Sequence, residues 1–152
     1  VIRMAEMYLN LAEILIELDA LENTTGRLEE AKGLIDKIRV RAGIPTIDEA
    51  WKKANHPEKA NTAEGLREIV RRERQIEFYL ENQRFWDLRR WKDAGILGEK
   101  VWGMNIEGDT DETFFVPTEL QNIRTFKQAQ YLMPIPMTET NKVPHIVQNP
   151  GY

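Results

Sequence analysis

The chain has 152 residues, 41% hydrophobic and 30% charged, with a formal net charge of −4. That length fits one ordinary domain or a piece of a larger one, and the composition is that of a folding chain. Cysteine and serine are both absent, which excludes disulfides, zinc–thiolate sites and Ser or Cys nucleophiles, and the acidic balance speaks against a nucleic-acid binder.

Helical periodicity runs from the first residue, so we expect the chain to be part of a longer polypeptide. Residues 1 to about 21 form the first predicted helix. Ala5, Tyr8, Leu9, Ala12 and Ile16 make one apolar face; Met7, Leu11, Ile14 and Leu18 make a second. Only a narrow strip, Glu6, Asn10, Glu13 and Glu17, is polar, which predicts a helix covered from both sides. "ENTTG" at 22–26 is a turn. The second helix runs from about Arg27 to Ala42, with Leu28, Ala31, Leu34, Ile35 and Ile38 inward and Gly43 as its stop. Two helices of this size, a short turn and Ala31 in a small-residue slot read as one tetratricopeptide-like pair over 1–45. Such a unit does not bury its faces alone.

Residues 43–61 read as a polar loop with a short helix near Glu49 to Ala54. The third long helix starts at Thr62 as N-cap and runs to about Leu80; a further segment spans about Arg84 to Lys92. The rest, 94–152, is rich in Gly and Pro. "TFFVP" and "YLMPIP" suggest short strands and turns, with Pro134 and Pro136 admitting only an edge strand or an extended segment.

The stretch "RRERQIEFYLENQRFWDLRRWK", 71–92, carries seven basic and four acidic residues. On a helical wheel Leu66, Ile69, Val70, Ile76 and Leu80 form one stripe, and Glu73, Glu77 and Arg84 fall within it. Carboxylates facing a packed surface require partners. Arg84, Arg89, Arg90, Arg39 and Arg41 are the candidates, since the guanidinium fork pairs two oxygens at once. Arg71, Arg72 and Arg74 fall toward the flanks, where solvent or Glu81 meets them. Three functional readings compete with this structural one. The acids on the apolar face speak against a nucleic-acid surface. Glu73 and Glu77, one turn apart, have the spacing of a glycosidase pair, but an arginine-rich stripe holds both ionised when catalysis needs one neutral. A tetratricopeptide-type adaptor binding a peptide is the third. We therefore expect Glu73, Glu77, Arg84, Asp87, Arg89 and Arg90 to form a structural ion-pair network, with no catalytic residue.

Trp51 and Trp102 lie in loop-like segments and are the candidate ligand-binding aromatics, since a ring face packs on the C–H face of a sugar. "GDTDET", 108–113, lacks the full oxygen-ligand pattern of a calcium loop, and no metal or cofactor is expected.

"ERQIEFYLENQRFWDLRRWK" resembles the signature of SusD/RagB-type proteins, the glycan-binding surface lipoproteins of Bacteroidetes. "MAEMYLNLAEIL", "AKGLIDKIRVRAGIP", "VWGMNI", "YLMPIP" and the final "QNPGY" are similar to family features and occur in the expected order. The resemblance covers essentially the whole chain and corresponds to the C-terminal part of the family. It implies a mainly α fold, with tetratricopeptide-like hairpins packed against an irregular C-terminal region with a few short strands. It divides the chain into 1–45, the signature helices at 62–93, and the loop-rich 94–152. It also implies an outer-membrane, cell-surface location through a lipidated cysteine outside this chain, and no catalysis. The ligand would be an oligosaccharide, and the partner a TonB-dependent, SusC-like transporter. The residues matching the signature, Glu73, Arg74, Glu77, Glu81, Arg84, Phe85, Trp86, Asp87, Leu88, Arg89, Arg90 and Trp91, read as structural in the family as well.

Overall fold

The computed structural model describes residues 3–120 and 124–152. The fold is mainly α. Two compact units divide between Arg84 and Phe85, inside the segment that the sequence groups as 62–93.

The first unit holds four helices: α1 (Met4–Glu22), α2 (Leu28–Arg41), α3 (Ile47–Lys53) and α4 (Ala63–Glu77), with a 3-10 turn at Pro57–Asn61 before α4. α1 packs against both α2 and α4. Leu9, Ala12 and Ile16 from α1, Ala31 and Ile35 from α2, Ile47 from α3, and Leu66 and Val70 from α4 close a single core. Each helix end has a local cause. Asn23 adopts the left-handed conformation after α1. After α2 the Ile44 amide donates to the Arg39 carbonyl (3.1 Å) and that of Gly43 to Val40 (3.0 Å), with Gly43 at φ 73°, a Schellman closure. Thr46 caps α3 in a reciprocal box with Glu49, and the Thr62 hydroxyl accepts from the Gly65 amide (3.1 Å) at the start of α4.

Three expectations change here. α4 ends at Glu77, because the chain leaves the helix through Leu80 and Asn82, both at positive φ. Leu80 is therefore exposed, and Ile76, on the last turn of α4, is exposed as well, so neither adds to the core stripe. The Met7, Leu11, Ile14 and Leu18 face of α1 is exposed too, since α2 and α4 occupy the opposite face.

The turn between α1 and α2 is organised by a residue that periodicity does not reveal. Asp19 is fully buried and accepts from the Thr24 hydroxyl (2.7 Å), the Arg27 amide (2.7 Å) and the Arg27 guanidinium (2.9 Å). Burial pushes its carboxyl up, but these three donors outweigh burial and hold it below the ordinary range.

The second unit contains most of α5 (Gln83–Arg90), then a 3-10 turn at Ala94–Gly98, strand β1 (Trp102–Met104), α6 (Asp111–Phe114), β2 (Pro117–Glu119), a 3-10 turn at Gln128–Tyr131, and α7 (Met137–Lys142). The two strands pair antiparallel, Trp102 opposite Glu119 and Met104 opposite Pro117. "YLMPIP" forms no strand among the described residues; it is extended chain whose polar groups are met by side chains of "QNPGY". The Gln148 amide accepts from the Ile135 N–H and donates to its carbonyl, both at 2.8 Å. Asn149 donates to the Met133 carbonyl (2.6 Å) and the Tyr152 hydroxyl to that of Leu132 (3.0 Å). Pro134 and Pro136 donate nothing to any ladder, so an amide side chain reaching the residue between them satisfies what a neighbouring strand cannot.

Two glycines of the first unit should respond in opposite directions. A Cβ on Gly65 would collide with the Lys59 backbone, whereas Gly33 sits in the exposed interior of α2 with nothing within 4 Å. In thermal unfolding, Gly65→Ala should lower stability by about 1–3 kcal/mol, and Gly33→Ala should raise it by about 0.5–1 kcal/mol. In the second unit, Gln148→Leu should leave the Ile135 amide and carbonyl unmet, costing about 1–3 kcal/mol, with faster hydrogen exchange at Ile135 as the readout.

Candidate functional site

α4 is charged on the sides that pack. Toward α2, Glu73 is 7% exposed and accepts from the Arg39 guanidinium. Arg39 also donates to the Pro45 carbonyl (2.7 Å), which ties the loop after α2 into the pair. One turn on, Glu77 accepts from Arg41 at 2.7 and 2.8 Å and from Arg3 at 2.7 Å. Arg3 also forks onto Glu81, at 2.5 and 3.2 Å. Toward α1, Arg74 donates to Asn10 (2.6 Å) and lies 3.9 Å from the Glu13 carboxylate, while Arg67 holds Glu17 bidentately at 2.6 and 2.8 Å. The polar strip of α1 is thus the surface on which α4's arginines seat.

This assigns Arg74 differently from the sequence reading. It is only 4% exposed, pointing into the α1–α4 seam rather than flanking it. Its guanidinium also lies 5.3 Å from the Phe78 ring centre, so its charge is met by an amide oxygen, a carboxylate and a ring face. The Arg3 contacts have no counterpart in the sequence pattern. Arg3 sits 74 residues from Glu77 in the chain, and nothing local marks it as a partner.

The residues of the expected network are divided between the two units. Glu73 and Glu77 take Arg39, Arg41 and Arg3. Asp87, buried in the second unit, takes Arg90 at 2.9–3.0 Å on the same turn of α5. Arg89 joins no carboxylate among the described residues: its fork donates to the Gln130 carbonyl (2.9 Å) and its plane lies 3.5 Å from the Phe85 ring centre. The geometry of α5 explains this, since the three residues from Asp87 to Arg90 bring that pair together and turn Arg89 to another side. Arg84 is half-buried at the end of the first unit.

For Glu77, burial pushes the carboxyl up, but the bonds from Arg41 and then Arg3 outweigh it and hold it below the ordinary range. A glycosidase acid requires the reverse shift. Glu77 is equipped to stay ionised, and both glutamates tie α4 to α2.

Of the two candidate aromatics, Trp51 lies in the first unit and Trp102 in the second. Trp51 is half-buried on α3, with the Lys59 ammonium 4.9 Å from its ring centre, and lines a cleft of about 540 Å³. Trp102 is 61% exposed on the short β1. The 108–113 stretch forms the entry to α6, with Thr110 and Thr113 bonding each other's caps. A Cβ on Gly108 would sit 2.5 Å from the Thr113 and Phe114 backbone, so glycine is required where this turn closes. No group of three or more potential metal ligands occurs among the described residues.

The comparisons with known proteins agree with this architecture. The SusD family model matches residues 1–152. A SusD-like protein from Bacteroides fragilis is 36% identical, with a TM-score of 0.76 over 99% of this chain and 25% of its own. BT4246, solved natively and with selenomethionine, is 33–34% identical, with TM-scores of 0.77 and 0.79 over 100% of this chain and 23–24% of its own. No curated protein matches. This chain belongs to the SusD family, and it spans about a quarter of the length of the solved relatives it matches.

Removing one partner of a buried pair leaves the other charge uncompensated. Glu73→Gln and Arg39→Ala should each lower unfolding free energy by about 3–5 kcal/mol, and the double variant should cost less than the sum. The sign of the acid response follows from the low Glu77 and Asp19 carboxyls. Their contribution is complete above the unfolded value, about 4, and is lost as pH falls through the lower folded values. Asp36, pushed up chiefly by burial, works in the opposite direction. Denaturant titrations from pH 6 to 3 should show Glu77→Gln losing stability with a shallower slope than the parent.

Proposed function

We propose that this chain is part of a non-catalytic binding protein that captures oligosaccharide or a related nutrient at the bacterial surface. It would hand that cargo to a TonB-dependent outer-membrane transporter of the SusC type. Membership of the SusD family supports the binding role; location and hand-over extend it. No helix among the described residues is long and apolar enough to cross a membrane, and in this reading a lipid attached outside the chain supplies the anchor.

The observation that carries the non-catalytic part is the state of the two glutamates. Glu73 and Glu77 have the spacing of a glycosidase pair, yet each is clasped by guanidinium groups that favour the ionised form. Glu77 is held below the ordinary carboxylate range, the reverse of what a group that donates a proton to a leaving sugar requires. Their work is mechanical: they fix α4 against α2 so that the loops and clefts around these helices keep their shape. Affinity in such a protein comes from ring stacking and hydrogen bonds at a polar rim, with no bond broken.

The test is to incubate the protein with a panel of oligosaccharides and follow both calorimetric binding and the length of the recovered sugars. Binding with sugars recovered intact is expected. New reducing ends that disappear in a folded Glu73→Gln or Glu77→Gln variant would overturn the non-catalytic reading. Deleting the gene should abolish uptake of a labelled ligand while leaving the transporter present in the outer membrane.

A further inference from the structure

Among the described cations of α4, one is left without a partner. Arg72, exposed on α4, makes no hydrogen bond, ion pair or ring contact among the described residues. It sits on α4 where two concavities meet. The deeper, about 540 Å³, lies between α3 and α4, with Trp51 on one side and Ile69 and Ile76 on the other. The shallower, about 310 Å³, continues along α4 past Arg72 and Ile76 to Tyr79, which is 75% exposed. Both volumes are in the range of small-molecule sites.

The charges around this groove nearly cancel, with one exception. Arg39 is spent on Glu73 and Lys59 on Glu68, so each pair is neutral and each carboxylate already satisfied. Arg72 is the surplus. Its planar fork is open to bind two oxygens of one anion. The walls beside it are apolar or aromatic, from Ile76 and Tyr79 on one side to Trp51 on the other. Lys59 covers part of the indole, so Trp51 offers its remaining edge as a wall while Tyr79 is the free ring. A free guanidinium flanked by aromatic and aliphatic surface suits a ligand with a carbon skeleton, many hydroxyls and a fixed negative group.

We propose that the α3–α4 groove is a binding site for an acidic saccharide, whose ring carboxylate or sulfate pairs with Arg72 while an adjacent sugar ring packs on Tyr79. This rests on the saccharide-binding reading above and adds to it the ligand's charge and the residue that reads it. Neutral sugars would find the same walls without the anion pair.

The experiment compares a galacturonate tetrasaccharide with its fully methyl-esterified form, which keeps the skeleton and removes the charge. A sulfated neutral-backbone tetrasaccharide forms a third arm. Calorimetry on the parent should show at least one acidic sugar bound about tenfold or more tighter than the ester, the scale of one charge-assisted contact. Preference for the uronate or for the sulfated sugar identifies which anion Arg72 takes. Arg72→Gln should erase the preference with an unchanged melting temperature, Arg72→Lys should retain part of it, and Tyr79→Ala should weaken charged and neutral sugars alike. Equal affinity for acid and ester, or a preference that survives Arg72→Gln, overturns the inference while leaving saccharide binding intact. Failure of the protein to bind any saccharide in the wider panel overturns the parent reading and this one with it.

Discussion

The guanidinium–carboxylate clasp on α4 is the constraint from which the first unit takes its form. α4 offers glutamates to one neighbour and arginines to the other: Glu73 and Glu77 to Arg39 and Arg41 of α2, Arg67 and Arg74 to Glu17, Glu13 and Asn10 of α1. Apolar residues alone would let three helices slide and rotate at little cost. Ion pairs a turn or two apart favour one register, above all the buried Arg39–Glu73 pair, since leaving one partner of a buried pair unmet costs about 3–5 kcal/mol. The apolar core supplies the drive to associate, and the charges select which association.

The clasp also bears on function. A surface of paired charges is inert, since each carboxylate is satisfied and each guanidinium is occupied. What remains available for recognition is what the pairing leaves over. On the exposed side of α4 that remainder includes Arg72, where the groove beside α3 opens between satisfied pairs. A structural network thus defines a binding surface by subtraction, without any of its members touching a ligand.

The second unit reaches order by another route. Among its described residues few side chains are buried, and the strands are two of three residues each. Its backbone is held by side-chain amides and hydroxyls, above all the Gln148, Asn149 and Tyr152 contacts to 132–135. Prolines at alternate positions forbid a ladder, and polar side chains from the chain's end take its place. "YLMPIP" and "QNPGY" are accordingly two halves of one structural device.

Much of this was legible in the residues alone. Period and capping chemistry place α1, α2 and the start of α4, because apolar spacing, a Thr N-cap and a Gly stop are local signals. The acidic residues within the apolar stripe require arginine partners, whatever the fold. Other features belong to the tertiary structure. Arg3 meets Glu77 across 74 residues of chain, and Arg74 turns inward because Asn10 and Glu13 of α1 happen to face it. The end of α4 at Glu77, which leaves Leu80 in solvent, goes with a left-handed turn at Leu80 that periodicity does not encode. The sequence by itself determined that buried charge must be paired. Only the folded chain decided with whom, since an ion pair is a matter of distance in space and the wheel of one helix measures none.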